Sequence, residues 1–280
     1  MTMTACGIGL VLFLLLFQVD SFISVNDRSD FGFRLSAFQG PPSKSIPREQ
    51  QQQAISAIRA AINKPKTPNF GLIECEFPPL ASLNKLGDGS LRSSQEVDDS
   101  NLAFSQTLRN GIAPIAFLGP KIWILTSSMA SANFVSKAKK IGGVSHSLRD
   151  GIPKTDISDI CLLVSPSSRT DYDSAQKLTS TCKAVVIVNG FAKDTSSVSY
   201  RATMAYYRKP LTYNSQIIGY LTRVYPQPWR VTDAASNRIL ASFEDSQILV
   251  KGTNTPDLRE PCRLVQKAVD EIAIKARKNR

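Results

Sequence analysis

From about residue 40 onward the chain alternates between short continuous apolar runs and stretches whose apolar residues recur at helical spacing. Ile55, Ile58 and Ile62 predict a helix from Arg48 to Asn63, ended by Pro65 and Pro68. Phe70–Phe77 mixes apolar and polar positions and stops at Pro78-Pro79, the pattern of a strand. Residues 84–100 are polar, with clustered Gly, Asp and Ser, and read as a surface loop. A helix from Ser100 to Asn110 is expected to end at Gly111. Strand and helix signals then alternate: strand Lys121–Thr126, helix Ser128–Ile141, strand Asp159–Ser165, helix Ser168–Cys182, strand Ala184–Asn189.

Short apolar runs with helices between them are what parallel strands covered on both faces look like. The order changes after residue 200. Ala202–Tyr207, Gln216–Val224 and Arg238–Phe243 are strand-like with no helix between them, Ile248–Lys251 adds a possible fourth, and together they predict an antiparallel extension. A last amphipathic helix, Leu258–Lys278, carries Leu264, Val265, Ala268, Val269 and Ile272 on one side. The expected fold class is α/β over residues 41–280: a mostly parallel sheet with flanking helices, extended by antiparallel strands near the C-terminus and closed by a C-terminal helix.

The N-terminus reads as an address. Cys6–Phe17 is about a dozen apolar residues, short for a bilayer span and suited to a signal peptide over residues 1–21. Residues 22–40 are rich in Ser and Phe and carry Arg28 and Arg34. A signal peptide followed by a Phe-led segment resembles the bipartite plastid leader of diatoms and related algae. Asp20-Ser21-Phe22 is a loose match to its cleavage motif and Leu35-Ser36-Ala37-Phe38 a closer one, whereas Asp27 and Asp30 depart from the usual scarcity of acids. Secretion is the alternative.

The formal net charge is +11, and residues 1–40 hold two arginines against three aspartates, so the basic balance belongs to the domain. A basic surface suits anionic partners or serves solubility alone. The densest cluster is Lys275, Arg277, Lys278 and Arg280, where cations also complement a helix C-terminus. Cys75, Cys161, Cys182 and Cys262 lack CxxC spacing, which speaks against a zinc site, and they are expected to be reduced thiols, with Cys75 and Cys161 buried.

Candidate chemistry is sparse. The single histidine, His146, falls in an expected loop with no nucleophile or acid motif to make it catalytic, and no metal or cofactor motif is present. There is no phosphate-binding GxxxxGK[ST], and Gly87-Asp88-Gly89 sits in a polar stretch. Glu74 and Glu76 are read as charges on an edge or solvent-facing strand. The segments after the parallel strands are the sensible ligand positions in such a fold. There Ser127, Ser167 and Arg169 are candidate anion-binding residues, with helix capping as the other reading of the serines. The most unusual stretch is Tyr206–Trp229, where Tyr206, Tyr207, Arg208, Lys209, Arg223, Tyr225 and Trp229 interleave aromatics with cations. Such a set packs strands, forms protein hot spots or stacks on RNA bases.

That stretch also carries a family likeness. Tyr206-Tyr207-Arg208-Lys209-Pro210, Gly219-Tyr220-Leu221, Arg223-Val224-Tyr225-Pro226 and Pro228-Trp229, with Glu76-Phe77-Pro78-Pro79-Leu80 upstream, resemble an uncharacterised domain of plants, algae and cyanobacteria. The domain occurs in chloroplast "low photosystem II accumulation" proteins and is joined to a chloroplast adenylate kinase. The likeness covers about residues 45–275. It implies a plastid protein of the stroma or thylakoid surface that aids photosystem II biogenesis by binding protein partners, such as photosystem II subunits or assembly factors. It brings no catalytic residues, and kinase activity is not carried over because the chain lacks a phosphate-binding loop. An enzyme or regulator that binds a phosphorylated small molecule or nucleotide is the second reading, and nucleic-acid binding ranks last.

Overall fold

The computed structural model describes residues 47–64, 71–77, 94–113, 119–190, 202–213 and 216–278. The expected leader, Pro78-Pro79-Leu80, residues 84–93 with Gly87-Asp88-Gly89, and Arg280 lie outside them. The apolar runs line up as one sheet of nine described strands, in the order β3-β2-β4-β5-β1-β6-β7-β8-β9. These are β1 (Leu72–Glu76), β2 (Ile122–Thr126), β3 (Val144–Ser147), β4 (Ile160–Val164), β5 (Ala184–Val188), β6 (Thr203–Tyr213), β7 (Gln216–Val224), β8 (Trp229–Asp233) and β9 (Ile239–Phe243). The pairs from β3 to β6 are parallel, and those from β6 to β9 are antiparallel. The expected fold class holds.

β2, β4 and β5 are buried along their whole length because helices cover both faces. On one face, α1 (Arg48–Ile62), α2 (Ser94–Ile112) and α3 (Ala132–Ala138) pack over Ile124, Leu162 and Val186. On the other, α4 (Arg169–Leu178) sets Tyr172 and Ala175 against Leu125, Leu163 and Ile187. A third cluster lies beyond it, where α5 (Asp245–Ile248) and α6 (Arg259–Lys278) bring Ile248 and Val265 onto Met204, Tyr207, Leu221, Trp229 and Val231.

Several elements differ from their sequence expectations. Helix α2 begins at Ser94, so residues 94–99 are helical and not loop; its first two turns are polar because they face water, and Glu96 there complements the helix dipole. Gly111 does not stop the helix but lies inside it, where a Cβ would stand 2.5 Å from Ile55 Cδ1, so its lack of a side chain lets α1 and α2 approach. His146 belongs to β3 and not to a loop, and its Nε2 donates to the Gly151 carbonyl at 3.0 Å. β8 was not foreseen, and Ile248–Lys251 is no strand: Ile248 ends α5 and Leu249 makes an isolated bridge to Pro256.

The largest correction concerns β1. It lies between β5 and β6 in the middle of the sheet, so Glu74 and Glu76 do not decorate an edge. Glu74 is 1% exposed and accepts a hydrogen bond from Asn254 Nδ2 at 3.2 Å. Cys75 and Cys161 are buried, as expected for small apolar-run thiols, and so is Cys182; the hydrogen bond with Cys182 and then burial push the Cys161 thiol up. Among the described residues no helix is long and apolar enough to cross a membrane.

Candidate functional site

The chain leaves β2 toward α3 on one face and leaves β4 toward α4 on the other. Neighbouring parallel strands whose exits diverge open a crevice at their carboxyl ends, the usual ligand position of such folds. Ser127 and Ser167 meet in this crevice, with their hydroxyl oxygens 2.9 Å apart. The centre is taken by Asp171, from the first turn of α4. Its carboxylate accepts hydrogen bonds from Ser127 Oγ (2.6 Å) and from the backbone N–H groups of Ser128 (2.9 Å), Ser167 (3.1 Å) and Ser168 (3.2 Å). Ser127 gives its proton to Asp171, so its oxygen accepts from Ser167, and it accepts again from Met129 N at 3.1 Å.

Converging backbone N–H groups and hydroxyls are what an anion needs, and this chain's own carboxylate already holds them. Burial alone would raise the pKa of Asp171; the hydrogen bonds from Ser127, Ser128 and Ser167 outweigh it and hold the carboxyl below its ordinary 3.8. The helix caps here are neighbouring serines and not Ser127 or Ser167: Ser131 caps α3, and Ser168 caps α4 in a capping box with Asp171. Arg169 is exposed and makes none of these bonds. Arg149, which the sequence did not single out, ties the β2–α3 connection down by donating to Ser128 O (3.1 Å) and Ala130 O (3.0 Å).

The ends of β4, β5 and β1 close in a similar way under α2. Ser165 and Asn189 both adopt left-handed backbone, with φ of 51° and 49°. Asn101 Nδ2 donates to Ser165 Oγ, Asn189 Nδ2 donates to Asn101 Oδ1, and Phe77 N donates to Asn189 Oδ1, at 2.8, 2.8 and 2.9 Å. Beside this network, a cavity of about 190 Å³ between the starts of α2 and α3 is lined by Asp98, Asp99 and Lys137 among other polar groups. Lys137 is held by Asp99 at 2.6 Å, while burial and then the neighbouring Asp99 charge raise the pKa of Asp98. An acidic lining of this kind repels phosphate.

The aromatic-cationic stretch divides between two faces of the sheet. Tyr206 is buried against the α1 side, and Tyr207 and Trp229 are buried beneath α6, with ring centroids 5.1 Å apart. Arg223 is buried with them. Asp245, at the start of α5, accepts from Trp229 Nε1 at 2.7 Å and lies 3.4 Å from the Arg223 guanidinium. As candidate partner-binding residues, Tyr206, Tyr207, Arg223 and Trp229 are therefore corrected: burial places them in the core, with no free surface to offer. Lys209 is exposed on the α6 side, and Tyr225 is half-buried under Lys64, whose Nζ is 5.9 Å from the ring.

Arg208 points the other way. Burial alternates from Gly219 to Val224 in β7 and throughout β8, so every second residue there faces outward. Strand register sets these residues in two cross-strand rows: Arg208, Thr222, Arg230 and Ser242, and beside it Pro210, Tyr220, Thr232 and Ile239. The Arg208 guanidinium lies over the Tyr220 ring at 3.9 Å. Helix α6, which packs on β8 and β9, takes the opposite face, and the residues of both rows are half-exposed or exposed. Neither row contains an acid. Of this surface only Arg208 is among the partner-binding candidates read from sequence; the alternation in Gly219–Val224 and Trp229–Asp233 is the signal that finds the rest.

No curated protein and no solved structure matches the chain. Residues 45–258 match the family described as "Domain of unknown function (DUF1995)", a span that takes in the strand-end crevice, the Trp229 cluster apart from its α6 residues, and both rows of the open face. This chain belongs to that family of domains.

Proposed function

We propose that this chain is a non-enzymatic plastid protein that serves photosystem II biogenesis, assembly or maintenance by binding protein partners. The observation that carries the protein-binding part is the contrast between the two surfaces. The crevice where an α/β sheet would hold a small ligand is filled by Asp171, while Arg208, Tyr220 and Arg230 stand outward on an open sheet face. Arg and Tyr are the residue types that dominate protein hot spots. The plastid and photosystem part rests on the leader pattern and on the family likeness carried by Tyr206–Trp229. A phosphorylated ligand at the strand ends would have to displace Asp171 or meet its charge, which weighs against the second reading.

A knockout in the source organism tests the proposal, with variable chlorophyll fluorescence and the levels of photosystem II and photosystem I subunits as readouts. Selective loss of photosystem II is the expected result. Normal photosystem II in the knockout overturns the role.

A further inference from the structure

We infer that the open face of β6–β9 receives an acidic, amphipathic segment of a partner protein; this rests on the protein-binding reading above. Arg208, Thr222 and Arg230 are directly paired across three adjacent strands, which sets the two arginine Cα atoms about 10 Å apart. The second row supplies an apolar strip, with Pro210, Tyr220 and Ile239 flanking Thr232. A cationic row beside an apolar row is complementary to a helix with acids on one stripe and leucine-like residues on the next. Two turns of such a helix advance about 10.8 Å, so carboxylates seven residues apart reach both arginines.

The chemistry selects a carboxylate-bearing peptide over RNA. Sheets that bind single-stranded RNA present free aromatic faces on which bases stack. Tyr220 has one face already covered by the Arg208 guanidinium at 3.9 Å. In that position Arg208 is pre-ordered, and its N–H fork is suited to a carboxylate. Arg230 is steadied by donating to Gln227 Oε1 at 3.1 Å. Neither row contains an acid, so within the rows no carboxylate competes for the arginines, the reverse of the Asp171 crevice.

The test is fluorescence anisotropy on the full domain with three labelled probes: an amphipathic peptide of Glu and Leu, its Lys and Leu counterpart, and oligo-uridylate. Saturable binding of the Glu/Leu peptide alone is expected, weakening with salt and falling at least about tenfold in Arg208→Ala/Arg230→Ala, the loss of one or two charge-assisted hydrogen bonds. Both side chains lie outside the core, and an unchanged melting curve for the double variant shows that the loss is local. Failure of the Glu/Leu peptide to bind, equal binding by the double variant, or preference for oligo-uridylate each overturns the inference. The knockout reads the broader role separately: loss of photosystem II without peptide binding leaves the assembly reading standing and removes only this partner chemistry.

Discussion

Asp171 shows how one residue decides what a surface does. Its carboxylate collects a hydroxyl and three backbone N–H groups from two connections. Asp171→Ala leaves those donors unpaired and should cost about 3 kcal/mol, measurable as a lowered urea midpoint. The pH dependence follows from the lowered pKa. The folded-state value lies below the ordinary 3.8, so this stabilisation is complete above 3.8 and is lost as pH falls through the lowered value. Urea midpoints of the wild type and Asp171→Asn should therefore converge on acidification. Trp229 tests the buried cluster: Trp229→Ala should cost roughly 3–5 kcal/mol and unfold the domain before any binding defect can be seen. Arg208→Ala should cost less than about 0.5 kcal/mol. The aromatic-cationic pattern marked Trp229 and Arg208 but not Asp171, and it could not separate buried from open, because that depends on which face each strand position takes.

At the scale of elements, α6 and Gly219 are coupled. A Cβ on Gly219 would lie 2.5 Å from Thr232 O and 2.8 Å from Val265 Cγ1, so the glycine is what lets α6 lie close on β7 and β8. Gly219→Ala should destabilise by about 1–3 kcal/mol, read by thermal melting. Val265 and Ala268 are buried, whereas the described side chains from Asp270 onward are exposed, Ile272 at 42%. A chain ending at Leu258 uncovers the Trp229 cluster and should be insoluble, although it retains the whole span matched to the family. A chain ending at Asp270 should melt close to the wild type. The periodicity of α6 was legible from sequence; where its packing stops was not, because Ile272 continues the apolar stripe past the residues it packs on. β3 was missed for a related reason: Val-Ser-His-Ser has a single apolar residue and is a strand only because β2 lies beside it.

At the scale of the whole molecule, basic charge is directed outward on one sheet face, whereas Asp171 fills the strand-end crevice and Lys137 in the Asp98–Asp99 cavity is paired with Asp99. A thermal-shift screen with nucleotides and sugar phosphates should accordingly give no saturable stabilisation of the wild type. A saturable shift abolished by Arg169→Ala would instead favour the phosphorylated-ligand reading.

What the sequence determined by itself is the class and the order of the structure. Continuous apolar runs need cover on both faces, and alternating runs need it on one, so a parallel core followed by an antiparallel extension is already present in the pattern. Tertiary structure decided strand order, register and face. β1 lies in the middle of the sheet, which buries Glu74, and Asp171 reaches a crevice whose other wall comes from residues 127 and 128. Arg208 and Arg230, 22 positions apart in the chain, share one row only because Thr222 pairs with both. Pairing across strands depends on contacts between distant segments, and local spacing carries no record of them.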